Sequence, residues 1–333
     1  MGPRMPMLQI GGKSGMPESA VKENEMNRPT RHQISTGRPP TYAILIVALA
    51  AGAVAAAERD YEQIIFPEAG VVVTVTTGIN ARGDIVGQYQ AYGAMHGFRL
   101  DKHGNYSAID YPGAVSTNAW SINSPGGVAG DFRLTPNGPI NGFVLKNEVW
   151  TTIDCGPTLG AVHTFAFGVN ASGDVTGEYK LPGVSLGQPG RAFLHADGEC
   201  TDITPPDAGP GSSVAVAWAI SDAGDTAGYF VAGGITHGWV RDRDGNYAVI
   251  DYPGSAFTNV RGVNASGDTV GLYRMVANGP TQGFRMSADG SFEPIDYPGS
   301  PHTRALGVNA RGDAVGDYRF ADCPIRRCAW VWR

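Results

Sequence analysis

The heptapeptide GVNASGD stands at 168–174 and again, unchanged, at 262–268, with near-copies GINARGD at 78–84 and GVNARGD at 307–313. With the asparagine as marker, the equivalent positions are Asn80, Asn123, Asn170, Ser221, Asn264 and Asn309, spaced 43 to 51 residues apart. A period of this length marks a chain built from repeated supersecondary units. One unit reads as four short β-like runs: VRGV (260–263), TVGLYR (269–274), QGFRM (282–286) and FEPIDY (292–297). The tight turns NASGD and SADGS join the first run to the second and the third to the fourth, and longer segments make the other connections. The recurrent turn has a local cause. Asparagine bonds backbone groups two residues on, and glycine three residues later supplies the positive φ of a type I turn with a bulge. The heptapeptide is therefore architecture before it is a site. The RGD tripeptides at 82–84 and 311–313 fall inside the same turn formula, and the calcium ligands conceivable in Asn170, Ser172 and Asp174 lack the spaced acids of a calcium loop.

Four strands per unit imply an all-β chain, a six-bladed β-propeller of four-stranded antiparallel blades. One aromatic recurs in each second strand (Tyr89, Phe132, Tyr179, Phe230, Tyr273, Tyr318) and one in each third (Phe98, Phe143, Phe193, Trp239, Phe284, Trp330), the pattern that packing between neighbouring sheets requires. The last unit stops after its third strand, AWVW. YEQIIFPEAG at 61–70 matches the fourth-strand text YSAIDYPGAV at 106–115, so the last blade is expected to be closed by the N-terminal strand.

Residues 1–57 read as a signal peptide with a long polar lead, the true start falling at Met26 in one reading. Arg28, Arg31 and Arg38 precede a short apolar run that ends in small residues at Ala55 and Ala57. Residues 58–333 then form a single propeller domain, exported to an extracellular or periplasmic location. Without the leader the chain holds 19 basic and 28 acidic residues. That balance excludes nucleic acid and anionic membrane as expected partners, and a monomer that touches no membrane beyond its signal segment is expected.

The units G-[IV]-N-x-x-G-D-x-V-G-x-Y, H-G-F and I-D-Y-P-G resemble those of the HAF-type extracellular repeat proteins of bacteria, over residues 59 to 333. The third and fourth copies depart most, with Thr204 replacing the Asp of IDY and Ser221 replacing the Asn of the turn. The resemblance implies an exported repeat-built β protein and no particular reaction or catalytic residue.

Binding residues sit on loops carried by a rigid scaffold, so the face bearing the longer loops is the candidate face. His96 and His237 begin third strands on that face, His163 and His302 lie in the crossings between units, and Arg191 stands where His96 stands in its own copy. These five are the candidate ligand-binding residues. The histidines come from different copies without a metal-ligand spacing, so no metal and no cofactor is expected. Replacement of the H-G-F histidine by Asn141, Arg191 and Gln282 suggests hydrogen bonding towards neighbouring loops. The aspartates of the ID pairs suggest capping or inter-blade bonds, and Glu178 and Asp317 are acids outside the repeat. No G-x-S-x-G, H-E-x-x-H or phosphate loop occurs. The function expected is a non-catalytic binding or surface-interaction module for a glycan, peptide or envelope partner. The alternative is an extracellular hydrolase or lyase acting on a polymer at the channel mouth. An even cysteine count suits export. Cys323 and Cys328 flank one hairpin loop and are expected to bridge, whereas Cys155 and Cys200 fall at opposite ends of fourth strands and are expected not to.

Overall fold

The structure is a computed structural model that describes residues 61–208, 214–319 and 323–333. The signal-peptide reading of 1–57 lies outside the described residues. Each β-like run of the repeat forms a strand. The first sheet holds β2 (Val71–Ile79), β3 (Ile85–Ala91), β4 (Ala94–Leu100) and β5 (Tyr106–Ile109). The second holds β6 (Ser116–Ile122), β7 (Val128–Arg133), β8 (Asn141–Lys146) and β9 (Val149–Ile153). A single helical turn, α1 (Gly156–Leu159), leads to the third: β10 (His163–Val169), β11 (Val175–Lys180), β12 (Arg191–Ala196) and β13 (Glu199–Asp202). Then come β14 (Ala215–Ile220), β15 (Thr226–Ala232), β16 (Ile235–Arg241) and β17 (Tyr247–Ile250). They are followed by β18 (Phe257–Val263), β19 (Thr269–Arg274), β20 (Gln282–Met286) and β21 (Phe292–Ile295). The last sheet is β22 (His302–Val308), β23 (Ala314–Arg319), β24 (Cys328–Trp332) and, from the other end of the described chain, β1 (Tyr61–Ile64).

The arrangement is an all-β propeller, but it does not divide into six separate blades as the repeat count suggests. Four sheets are separate and four-stranded, and the eight strands β14–β21 form one sheet. The cause is a parallel bridge between Thr236 and Phe257, which ties β16 to β18. β1 lies antiparallel to β24, with Tyr61 opposite Trp332 and Ile64 opposite Ala329.

Every inner strand carries a bulge. The register skips Thr77, Trp120, Phe167, Trp218, Arg261 and Leu306, one residue in each of the six copies. Across the same pair of strands, the inner-strand carbonyl two residues before the bulge comes close to the second strand. This explains the invariant glycine of V-G-x-Y: a Cβ at Gly316 would collide with the Arg304 carbonyl and the Trp330 ring. Between sheets, the tyrosine of I-D-Y-P stacks on the second-strand aromatic of the following copy. Tyr111 lies 3.5 Å from Phe132, Tyr252 3.6 Å from Tyr273 and Tyr297 3.7 Å from Tyr318, centroid to centroid. The same tyrosines meet an outer-strand aromatic edge-on, Tyr111 with Trp150 and Tyr252 with Phe292. Both recurrent aromatic sets are buried.

This packing corrects the cysteine expectation. Cys323 and Cys328 are bridged as expected, and so are Cys155 and Cys200, with Cα atoms 5.5 Å apart. Cys155 occupies the place of Tyr111 one copy later, and Cys200 the place of Trp150. The two cysteines belong to neighbouring copies, and the disulfide stands where the other interfaces put an edge-on aromatic pair.

The recurrent turn does more than turn. Asn264 Oδ1 accepts from the Ser266 and Asp268 N–H groups, both at 3.0 Å, while its Nδ2 donates to the Asn309 carbonyl at 3.0 Å. The same inter-copy bond runs from Asn80 to Asn123, from Asn123 to Asn170 and from Asn309 to Asn80. Ser221 is too short to continue it. There Asp222 accepts instead from the Ala171 N–H and the Ser124 hydroxyl. The arginines of the RGD tripeptides are held on their own turn aspartates, Arg82 on Asp84 and Arg311 on Asp313. Asn264→Ala removes the turn acceptor and the inter-copy donor together, and is expected to cost about 2 to 3 kcal/mol in urea unfolding, several net hydrogen bonds at once. An Asn264→Ala chain as stable as the parent would show that the turn folds without this network.

Candidate ligand-binding face at the channel mouth

The six skipped residues share one destination. All line a central cavity of about 90 Å³, together with the glycines and aliphatic residues that follow them in the inner strands. On the turn face the cavity meets the asparagine network. The six skipped side chains differ in chemical class from copy to copy. Trp120, Phe167 and Trp218 form an aromatic cluster, with Phe167 and Trp218 centroids 4.2 Å apart and Trp120 within 5.8 Å of both. The Arg261 guanidinium lies 3.5 Å over the Trp218 ring. No carboxylate forms an ion pair with it among the described residues. Burial and the nearby Arg304 charge push Arg261 down to about 9, so this cation is held where a cation is unfavourable.

A second non-repeating ring surrounds the first. The variable residue of V-G-x-Y is Gln88, Asp131, Glu178, Tyr229, Leu272 or Asp317, each opposite an inner-strand residue. Asp131 accepts from Asn118 Nδ2 at 2.9 Å and from the Trp120 indole N–H. Burial nevertheless pushes its carboxyl up to about 6 against those two bonds, and the neighbouring Glu178 adds to the rise. Glu178 is itself raised by burial, although Lys180 pairs with it at 2.8 Å and the Gly190 N–H donates to it. Burial and Glu178 push the Tyr229 phenol up to about 12. Asp317, 2% exposed, accepts from Arg304 and Arg327. Each carboxylate of this ring is thus occupied by donors of the chain itself.

The histidines take different roles. His96 Nδ1 lies 3.0 Å from Asp110 and His237 Nδ1 2.8 Å from Asp251, each pair within its own sheet, so the ID aspartate holds the H-G-F histidine of the same copy. Arg191 makes the corresponding pair with Asp202 at 2.6 Å, sharing that oxygen with the Tyr179 hydroxyl. These are bonds inside one copy, not the bonds to neighbouring loops that the substitutions suggested. His163 and His302 do reach the preceding copy. Their Nδ1 atoms accept from the Ile140 and Thr281 N–H groups. The five residues are therefore distributed around the face rather than gathered, and no group of three or more His, Cys, Asp or Glu able to hold a metal occurs among the described residues. The residues that do converge, Trp120, Trp218, Arg261 and Asp131, were not singled out from sequence. The available signal was the one position before the turn motif that changes chemical class from copy to copy.

The long-loop face also carries most of the exposed large apolar side chains. Tyr92, Leu134, Leu186, Met275 and Val276 stand on loops between second and third strands, Ile235 opens a third strand, and Val115 and Val162 lie on the crossings. No helix among the described residues is long and apolar enough to cross a membrane.

No family model matches the chain, and no curated protein matches it. Solved structures align with it. A TolB-like protein from Agrobacterium tumefaciens aligns with a TM-score of 0.54 at 13% identity, over 79% of this chain and 91% of that one. Virginiamycin B lyase from Staphylococcus aureus, solved with quinupristin, aligns at 0.47 and 11% identity, over 83% of this chain and all of that one. Aleuria aurantia lectin, solved with α-methyl-L-fucoside, aligns at 0.47 and 11%, over 79% and 92%. At such identities the likeness is one of fold, and propellers host many unrelated functions.

The buried carboxyl makes a testable contribution to stability. Asp131 titrates higher in the fold than its ordinary value of 3.8, so the fold favours the protonated form. Its contribution is present at acid pH and is lost as pH rises through about 6. Asp131→Asn is expected to abolish a decline of order ~2 to 3 kcal/mol between pH 4 and 7 in urea unfolding midpoints. Parallel pH profiles for the two chains would refute the assignment.

Proposed function

We propose that the chain is an exported, non-catalytic binding module that holds a glycan, peptide or envelope ligand on its long-loop face, centred on the channel mouth. The observation that carries this reading is the Arg261–Trp218 pair with Trp120 and Phe167 beside it. Where the turns, glycines and interface aromatics repeat, this position does not, and what stands there is a set of flat rings and a guanidinium with no ion-pair partner among the described residues, groups suited to apolar ring faces and polar edges. The engagement of Asp131, Glu178 and Asp317 by donors of the chain favours binding over hydrolysis or elimination, which need a carboxyl free to meet substrate. Asp131, raised to about 6, is the group on which the alternative hydrolase or lyase reading rests. We read the eight-stranded sheet as two blades joined by the single Thr236–Phe257 bridge, so that six copies make six blades and β1 closes the ring on β24. The resemblance to HAF-type repeat proteins and the leader at 1–57 support an extracellular or periplasmic location.

The test is expression of the full chain in a bacterial host. The secreted protein is expected to begin at Glu58 by N-terminal sequencing and to bind on a combined glycan and peptide array. Trp218→Ala is expected to weaken the array hit about tenfold, the worth of one aromatic contact in a desolvated site, in a chain whose fold is checked by its melting curve. Hits of equal strength for the parent and Trp218→Ala would remove the channel mouth as the site. Turnover of a polymer substrate, lost in Asp131→Asn, would replace binding by catalysis.

A further inference from the structure

A second concavity opens on the same face, between the β19–β20 loop and the start of β22, with a volume of about 340 Å³. Four guanidinium groups line it, those of Arg274, Arg304, Arg319 and Arg327, against one carboxylate, Asp317. This is a local excess of positive charge in a chain whose residues 58–333 carry more acids than bases. The single carboxylate is fully used. Arg304 Nε holds one oxygen at 2.6 Å and Arg327 Nε the other at 2.9 Å. The terminal nitrogens of both arginines find no acceptor among the described residues. Arg274 is braced from behind, its guanidinium 4.6 Å over the Phe257 ring and its Nε donating to Thr281 Oγ1 at 3.1 Å. Burial holds Arg327 below the ordinary arginine range, and the charges of Arg304 and Arg319 push it further down while Asp317 opposes them. Cations so crowded are relieved by an anion, and forked guanidinium donors match a carboxylate or sulfate oxygen pair. Beside them stand neutral groups suited to hydroxyls, the Asn278 amide and the Gly279 backbone.

We propose that this cleft binds the carboxylate-bearing sugar of an acidic glycan. The inference rests on the reading of the long-loop face as a ligand-binding face, and names the chemistry of what it takes. Arg304 and Arg327, pre-set by Asp317, present their free N–H groups to the carboxylate. Arg274 and Arg319 flank it, and Asn278 meets the ring hydroxyls.

The experiment is calorimetric titration of the chain with tetragalacturonate, maltotetraose and inorganic sulfate at low salt, repeated for Arg274→Gln and Arg319→Gln. Neither substitution touches Asp317, and a melting curve for each checks the fold. Expected are binding of tetragalacturonate that weakens with added NaCl, no heat with maltotetraose, and a loss of affinity of about tenfold in each variant, the step for one charged hydrogen bond. Sulfate binding equal to that of tetragalacturonate would reduce the cleft to a simple anion site and overturn the proposal. So would equal binding of maltotetraose, unchanged affinity in both variants, or no binding of tetragalacturonate. In that last case an array hit lost in Trp218→Ala would leave the channel-mouth function standing while this inference falls.

Discussion

A one-residue bulge in each inner strand is the constraint on which the rest of the molecule depends. It sits beside the close strand approach that demands glycine in V-G-x-Y, and it turns one side chain per copy out of the ladder into the central cavity. The strands, the glycines and the asparagine turns are all bound by this geometry and so repeat. The expelled side chain is bound by none of it. Thr77, Trp120, Phe167, Trp218, Arg261 and Leu306 carry no turn or ladder role, which is why this position changes chemical class from copy to copy while its frame repeats.

The strand layout was legible because its signals are local. Turn asparagines, positive-φ glycines and alternating aromatics each act within a few residues, and Gly267 at φ 86° is the turn glycine that the heptapeptide implied. The pairing of YEQI with CAWVW was legible too, because a fourth-strand text stood at one end and a missing fourth strand at the other. Three things were not. The Thr236–Phe257 bridge depends on how far β16 extends past its hairpin, which no residue pattern encodes. The Asn264–Asn309 bond is invisible because the motif that announces its own turn says nothing of the copy beside it. The aromatic cluster with Arg261 is assembled from four copies, so Trp120 and Trp218, nearly a hundred residues apart, meet only once the sheets are set around the axis.

The disulfide between Cys155 and Cys200 shows how such a frame tolerates change. Strand-end geometry placed the two sulfurs on opposite faces, but equivalence by copy places them where Tyr111 meets Trp150. The third interface exchanges an edge-on aromatic contact for a covalent one and keeps the same position in the unit. The fourth makes another exchange, with Pro205 in the tyrosine position and the Tyr247 hydroxyl donating to the Ile203 carbonyl at 2.9 Å. Sheet-to-sheet contact is thus a fixed address that accepts several chemistries, while the turn network admits little beyond the serine at 221.

The antiparallel match of Tyr61–Ile64 with Ala329–Trp332 spans almost the whole described chain. Until the final five-residue strand is available, Tyr61–Ile64 has no ladder to join, although Phe66 can already stack on Tyr89 of the first sheet. Among the described strands this ladder closes the longest stretch of intervening chain, so it is expected to form late and to slow folding.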